Sequence, residues 1–290
     1  MGPTGIGKSR IAYELARELG GEIVVADSRQ VYRGLDVATN KPDPGWRREV
    51  AYHMIDLVPP TARFNAAEWV RGAAQAVEEI AGRGRLPIVE GGTMLYVDAL
   101  ADGFTLAGVP ADPALRRRLE LLSTEDLGRR LRQLDPGAQV DFRNRVRLVR
   151  AIELLEALGP PLARLRQRRP PAWEAIRIGV TAPREVIDQR LSERSRRQVE
   201  RGLVEETRRA LESGVAPDAP VMTGIGYAEA IAHLRGEISF EALPEAMARS
   251  NRRYARRQLT WLRRDGRIHW FQAEPDPAPA ILSFLKEHLG

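Results

Sequence analysis

Eight residues at the start of the chain restrict its fold more than anything else in the sequence. Gly2-Pro3-Thr4-Gly5-Ile6-Gly7-Lys8-Ser9 fits the pattern G-x-x-x-x-G-K-[ST], the phosphate-binding P-loop. The glycines let successive backbone N–H groups turn inward around an anion. Lys8 adds a point charge, and the Ser9 hydroxyl is placed to hold Mg²⁺. A helix must follow and aim its N-terminal dipole at the anion. Residues Lys8–Leu19, with Ile11, Leu15 and Leu19 on one face, supply it, and Glu22–Ala26 reads as the next strand. A P-loop normally follows a buried apolar strand in mid-sheet, but only Met1 precedes Gly2. The expectation is a chain that begins at an internal methionine and lacks that strand.

Short apolar runs alternate with helical patterns along the rest of the chain: 23–26, 53–57, 86–90, 175–182 and 267–272. Such alternation predicts an α/β fold, a P-loop NTPase-like core whose parallel sheet is flanked by helices. Ligands in such sheets bind beyond the carboxyl ends of the strands. Gly2–Ser9, Asp27 and Gly91–Thr93 all fall at such ends, so they are expected to converge on one crevice. Between 107 and 173 the strand pattern stops, and prolines at 110, 113, 136, 160, 161, 170 and 171 mark helix boundaries. The expected organisation is a core domain of residues 1–106 and 174–290 interrupted by an α-helical insertion domain, 107–173.

Charge distinguishes the two parts. The 290-residue chain carries a net charge of +6, and its only lysines are Lys8, Lys41 and Lys286. Residues 107–173 hold fourteen arginines against eight acids, which accounts for that whole charge. A field so concentrated points to a polyanionic partner. Within the core, the helix expected over about 242–264 places Arg249, Arg252, Arg253, Arg256, Arg257, Arg263 and Arg264 within an arc of roughly 140°. That face has almost no acid and reads as phosphate-binding. With no cysteine in the chain, disulfides, thiol catalysis and thiolate metal sites are excluded. The absence of a membrane-length apolar run and of a secretory pattern at the N-terminus predicts a cytoplasmic protein that does not enter membranes, read here as a monomer.

A P-loop alone suggests ATP or GTP and hence a small-molecule kinase, but phosphate capture serves a diphosphate leaving group equally well. Further motifs bear on the choice. Asp27-Ser28-Arg29-Gln30-Val31-Tyr32 leads to Gly34-Leu35-Asp36, Thr39-Asn40-Lys41-Pro42 and His53-Met54-Ile55-Asp56. Gly91-Gly92-Thr93-Met94-Leu95-Tyr96, Arg147–Glu153, Gly226-Tyr227 and Arg256-Arg257-Gln258-Leu259-Thr260-Trp261-Leu262-Arg263 follow in order. Over nearly its whole length the chain resembles the tRNA dimethylallyltransferases, P-loop prenyltransferases of tRNA.

The resemblance implies transfer of a dimethylallyl group from dimethylallyl diphosphate to N6 of the adenine at tRNA position 37, beside the anticodon, with release of diphosphate. Two alternatives stay open at this point: an ATP-using small-molecule kinase, and an isopentenyltransferase acting on free adenine nucleotides. The P-loop residues, with Mg²⁺ on Ser9, would stabilise the leaving diphosphate. Asp27, at a strand end facing the P-loop, is the candidate general base, and Thr93 matches the family threonine near the reacting centre. Asp27, Ser28, Arg29 and Gln30 match the segment that reads the flipped base of the anticodon stem-loop. Arg116, Arg147 and Arg150 in the insertion, with Arg249, Arg252, Arg253 and Arg256, are the candidate tRNA contacts. Members of the family it resembles often carry Arg or Gln four residues before the tyrosine of Gly226-Tyr227. Thr223 stands there, so no catalytic arginine is assigned to that position.

Overall fold

A computed structural model describes residues 1–104, 108–109, 112–166 and 168–289. The expected boundary at 106–107, and Pro110, lie outside the described residues. In chain order the elements are α1 (Lys8–Leu19), β1 (Glu22–Val25), α2 (Pro44–Glu49), β2 (Tyr52–His53), α3 (Ala66–Gly82), β3 (Pro87–Glu90) and α4 (Met94–Ala101). Then come α5 (Pro113–Glu120), α6 (Thr124–Leu134), α7 (Arg145–Leu158), a 3₁₀ turn (Leu162–Arg166), β4 (Arg177–Thr181) and α8 (Arg184–Glu200). The chain closes with α9 (Leu203–Glu212), α10 (Tyr227–Leu234), α11 (Leu243–Leu262), β5 (Ile268–Gln272) and α12 (Ala278–Leu289). Two compact units result: Met1–Phe64, Arg71–Val97 and Ala175–Gly290 form one, and Asn65–Val70 with Asp98–Glu174 the other.

In the first unit β1 lies between β2 and β3, and all three are parallel, with Ile23 beside Tyr52 on one side and Ile88 on the other. β4 and β5 form a separate parallel pair. The backbone at Met1 runs beside β4: Val180 N donates to Met1 O at 2.9 Å, and Met1 N donates to Ile178 O at 2.5 Å. The approach to the P-loop is therefore extended and paired. β2 is shorter than the apolar run 53–57 suggests, because Met54 and Asp56 take positive φ values of 62° and 54° and break the strand. The Asp56 carboxylate is held by Lys41 Nζ at 2.5 Å and by Arg47 at 2.8 Å.

α1 is buried on two sides. Ile11 and Leu15 pack with Ile6, Val180, Ile187, Leu191 and Ile281, while Ala12, Tyr13 and Ala16 pack with Ile23, Val25 and Ile55. Burial of each large aliphatic side chain contributes about 1.5–3 kcal/mol, so the helix behind the P-loop is firmly seated. Gly7 caps it at φ 96°, a left-handed conformation that costs a residue with a Cβ.

Among the described residues the regular elements of the second unit are helices, with an isolated bridge between Phe104 and Arg168. Leu115 and Leu119 of α5, Leu127 and Leu131 of α6, and Leu148, Ile152 and Leu155 of α7 form its core. Asp112, Ser123 and Asn144 cap the three helices through side-chain oxygens.

Candidate active site

Four segments of the first unit meet around the P-loop. β1 ends at Val25 and leads into Asp27, β3 ends at Glu90 and turns through Gly91-Gly92-Thr93, and α8 and α11 supply side chains from far along the chain. The two strand ends are tied directly. Thr93 N donates to Ala26 O at 3.0 Å, and Ser28 N donates to Thr93 Oγ1 at 3.1 Å. Gly91 is obligatory here, since a Cβ would come within 2.2 Å of Ala26 O. Asp27 Oδ1 accepts from Arg29 N at 2.8 Å and Gln30 N at 3.3 Å. That turn fixes the carboxyl group and leaves Oδ2 outside it.

Lys8 and Ser9 sit where the motif requires. Lys8 Nζ donates to Pro3 O at 3.0 Å. Burial pushes its ammonium down to about 8; Glu90 works against this shift and Arg194 adds to it. Ser9 Oγ donates to Glu90 Oε1 at 3.1 Å, and burial raises the Glu90 carboxyl above the usual range. A hydroxyl beside a buried carboxylate is the kind of oxygen pair that holds Mg²⁺ when substrate phosphates complete the shell, so these residues fit the ion.

α11 locks the crevice. Gln258, 2% exposed, accepts from Thr4 N at 2.7 Å through Oε1 and donates to Gly92 O at 2.9 Å through Nε2. Tyr254 OH donates to the same carbonyl at 2.7 Å, and burial pushes its phenol up to about 12. On α8, Arg194 donates to Thr4 Oγ1 and to Asn251 Oδ1, each at 2.8 Å.

The segment after Asp27 is more structural than the motif suggests. Gln30 is 6% exposed, and its Nε2 donates to Thr39 O at 3.1 Å and Asn40 O at 3.4 Å, while Oε1 is buried without a partner. Arg29 Nη2 donates to Thr223 Oγ1 at 3.3 Å, and burial lowers its guanidinium. Thr223 lines a cleft of about 340 Å³ with Glu229, Ser250, Arg253 and Arg257. Tyr227 is core, 1% exposed, and donates to Glu206 Oε1 at 2.5 Å. Glu206 in turn accepts from Asp36 N and Val37 N, which anchors the loop beneath Gln30.

The arginine face of α11 is less free than a helical wheel implies. The helix ends at Leu262, so Arg263 and Arg264 lie past its last turn. Arg252 is bound to Glu245, seven residues earlier, and to Ser192 Oγ at 3.1 Å. Arg253 donates to Ser250 Oγ at 3.1 Å, whereas Arg249 and Arg256 are exposed. In the second unit Arg116 grips Glu153 with two hydrogen bonds of 2.6 and 2.9 Å. Arg150 adds a third at 3.2 Å and donates to Val109 O at 2.8 Å. Both hold a carboxylate that is 2% exposed, while Arg147 faces solvent.

Glu90, Gln258, Tyr254 and Arg194 received no role from the sequence. Glu90 did carry a signal, an acid at the carboxyl end of a strand beside a glycine turn. Gln258 and Asn251 carried another, polar residues on the stripe that buries Met247, Ala255 and Leu262.

The chain is similar to several known proteins. The family model described as IPP transferase matches residues 30–265. A tRNA dimethylallyltransferase of Thermomicrobium roseum is 44% identical over 93% of this chain and 84% of its own length. The crystal structure of a tRNA isopentenylpyrophosphate transferase from Bacillus halodurans is similar with a TM-score of 0.74 and 33% identity, covering 99% of this chain and 94% of that one. A eukaryotic dimethylallyltransferase acting on tRNA shares the fold with a TM-score of 0.83 at 22% identity, over 99% of this chain and 78% of that one.

Proposed function

Because the chain belongs to the IPP transferase family, we propose that it moves a dimethylallyl group from dimethylallyl diphosphate to tRNA, at N6 of the adenine at position 37. The chain is a prenyltransferase of the tRNA-modifying kind, and no observation favours the kinase or the free-nucleotide alternative. The observation that carries the reading is the tie between the ends of β1 and β3, which sets Asp27 and Thr93 at one crevice with Lys8 and Ser9.

The chemistry follows from these groups. N6 attacks C1 of the allylic diphosphate; the C–O bond breaks with its electron pair going to diphosphate, and the new N–C bond forms. The attacking nitrogen must shed a proton, and Asp27 takes it through Oδ2. P-loop amides and Lys8 stabilise the charge growing on the diphosphate. When bound by Ser9 and Glu90, Mg²⁺ would neutralise part of that charge. The adenine lies within an anticodon stem-loop and is flipped out to reach the crevice. Asp27, Ser28, Arg29 and Gln30 border the position it takes, while exposed arginines such as Arg147, Arg249 and Arg256 contact backbone phosphates.

Among the described residues no helix is long and apolar enough to cross a membrane. We read the protein as a monomer of the cytoplasm. The test is incubation with dimethylallyl diphosphate, Mg²⁺ and unmodified tRNA in the absence of ATP, followed by nucleoside digestion and mass analysis. A prenylated adenosine from the anticodon loop is expected. A requirement for ATP, or phosphoryl transfer to a small metabolite, would overturn the proposal.

A further inference from the structure

On the reading that the chain binds tRNA, we propose that Leu121 and Val146 form an apolar wedge that covers unstacked base faces in an RNA loop. Among the described residues these are the two most exposed large hydrophobics, at 88% and 78%, and the others lie between 36% and 51%. A single exposed aliphatic side chain is ordinary. Here the two extremes fall at one junction of the second unit, since Leu121 closes α5 and Val146 stands in the first turn of α7. Arg145 ties the two ends together. Its Nη1 donates to Leu122 O at 2.5 Å, and its Nη2 donates to Leu119 O at 3.1 Å and Glu120 O at 2.8 Å. Asn144 caps α7 just before it, with Oδ1 accepting from Arg147 N at 3.2 Å. Leu119 and Leu148, both fully buried, anchor the same two helices in the core of the unit. The aliphatic pair therefore stands on rigid supports and loses little backbone freedom when a partner docks.

The charge around the pair identifies that partner. Arg117 precedes Leu121 by one turn on the same face of α5, Arg118 lies beside it, and Arg143 and Arg147 bracket Val146. All four are exposed, and among the described residues none of their guanidiniums makes an ion pair. Glu120 and Asp141 are the acids nearest in the chain, and Asp141 Oδ1 accepts from Arg143 N at 3.1 Å. Other acids of the unit are matched: Glu153 takes Arg116 and Arg150, Asp126 takes Arg129, and Glu156 takes Arg130. Unpaired cations are thus gathered about the exposed aliphatic pair. An apolar point rimmed by guanidiniums suits a partner that offers flat apolar faces between anionic groups. Bases of a single-stranded loop do so, and flipping one of them out uncovers the faces of its neighbours. Leucine is among the side chains that proteins insert between base steps. A second copy of the same patch would set arginine against arginine, which like-charge repulsion disfavours.

The experiment measures binding of the full chain to an unmodified anticodon stem-loop hairpin and to a blunt duplex of the same stem. The double variant Leu121→Gln with Val146→Gln changes only exposed side chains, so its urea midpoint should match wild type. It is expected to bind the hairpin roughly 5- to 50-fold more weakly and the duplex as before. Its slope of log K against log salt should stay unchanged, because a lost apolar contact releases no counterions. Arg117→Gln with Arg143→Gln should instead reduce that slope by about one per lost contact. Leu121→Met with Val146→Ile keeps the apolar surface and should bind the hairpin like wild type. Wild-type hairpin affinity in the glutamine pair, an equal loss on the duplex, or an equal loss in the Met/Ile pair overturns the proposal. So does a glutamine pair that binds the hairpin normally but loses self-association in sedimentation or binding to phosphatidylglycerol vesicles. Failure of the wild-type chain to bind the hairpin overturns the tRNA reading itself, whereas wild-type behaviour confined to the variants leaves that reading standing.

Discussion

Gln258→Leu should uncouple the P-loop from the glycine turn with little change in packed volume. In the native protein Gln258 gives the Thr4 N–H an acceptor at 2.7 Å and donates to the Gly92 carbonyl at 2.9 Å. The substitution strands the Thr4 N–H, which costs about 1–3 kcal/mol for a buried unpaired donor. Gly92 O keeps the Tyr254 hydroxyl at 2.7 Å, so its loss is smaller, about 0.5–1 kcal/mol. The expected total is about 1.5–4 kcal/mol, read as a lowered urea midpoint with unchanged slope. Tyr254→Phe alone should cost about 1 kcal/mol, because Gln258 still serves the carbonyl. Together the two changes leave Gly92 O unpaired, so the double variant should exceed the sum of the singles by roughly 1 kcal/mol. Turnover should fall with stability, since Thr93 follows Gly92 directly and a misplacement of about 1 Å costs roughly 100-fold. Strict additivity, together with a single-variant loss below about 0.5 kcal/mol and normal kcat, would refute the argument that this amide aligns the site.

Asp27→Asn keeps the oxygen that caps the turn through Arg29 N and Gln30 N but cannot accept a proton. It should lower kcat by roughly 10²–10⁴ with tRNA affinity nearly unchanged, and a variant with wild-type turnover would remove Asp27 as the base. Lys8 titrates at about 8 in the folded chain against 10.5 for the free side chain. The unfolded chain therefore binds more protons between those values, so the stability of the ligand-free protein should rise as pH climbs from about 8 toward 10.5. Pyrophosphate affinity should fall over the same rise as the ammonium is lost. Urea midpoints and titrations at either end of the window, repeated with Lys8→Met to abolish both trends, check this. Changing exposed Arg249 and Arg256 to Gln should reduce the slope of log K for tRNA against log salt by about one per lost phosphate contact. The loss should be equal across substrate tRNAs, and an unchanged slope would mark the two arginines as solvated surface.

The local parts of this protein were legible because their causes are local. A glycine that must take φ 96° before a helix, a lysine and a serine at fixed offsets, and an apolar run of strand length leave few alternatives over a dozen residues. α1 and the ends of β1 and β3 could therefore be read off the chain, and the strand-end rule placed Asp27 and Thr93 in one crevice. Where the reading fell short, a local pattern was overridden by a distant partner. The run 53–57 is apolar enough for a strand, yet Asp56 is drawn out of it by Lys41 and Arg47. A nearly acid-free face on α11 suggested free arginines, yet Glu245 two turns earlier takes Arg252. A string of arginines between 107 and 173 suggested an open basic surface, yet burial of Glu153 enlists Arg116 and Arg150.

Tertiary structure alone decided what completes the site. Gln258 reaches Thr4 across 254 positions, Arg194 reaches it across 190, and Glu90 reaches Ser9 across 81. No periodicity or spacing records such pairs, because the backbone between them sets distance only after the helices have packed. The sequence states which groups are able to hold a phosphate or take a proton. Which of them stand at the crevice, and which of those lack a counter-ion, depends on how burial distributes a limited set of hydrogen-bond partners among them.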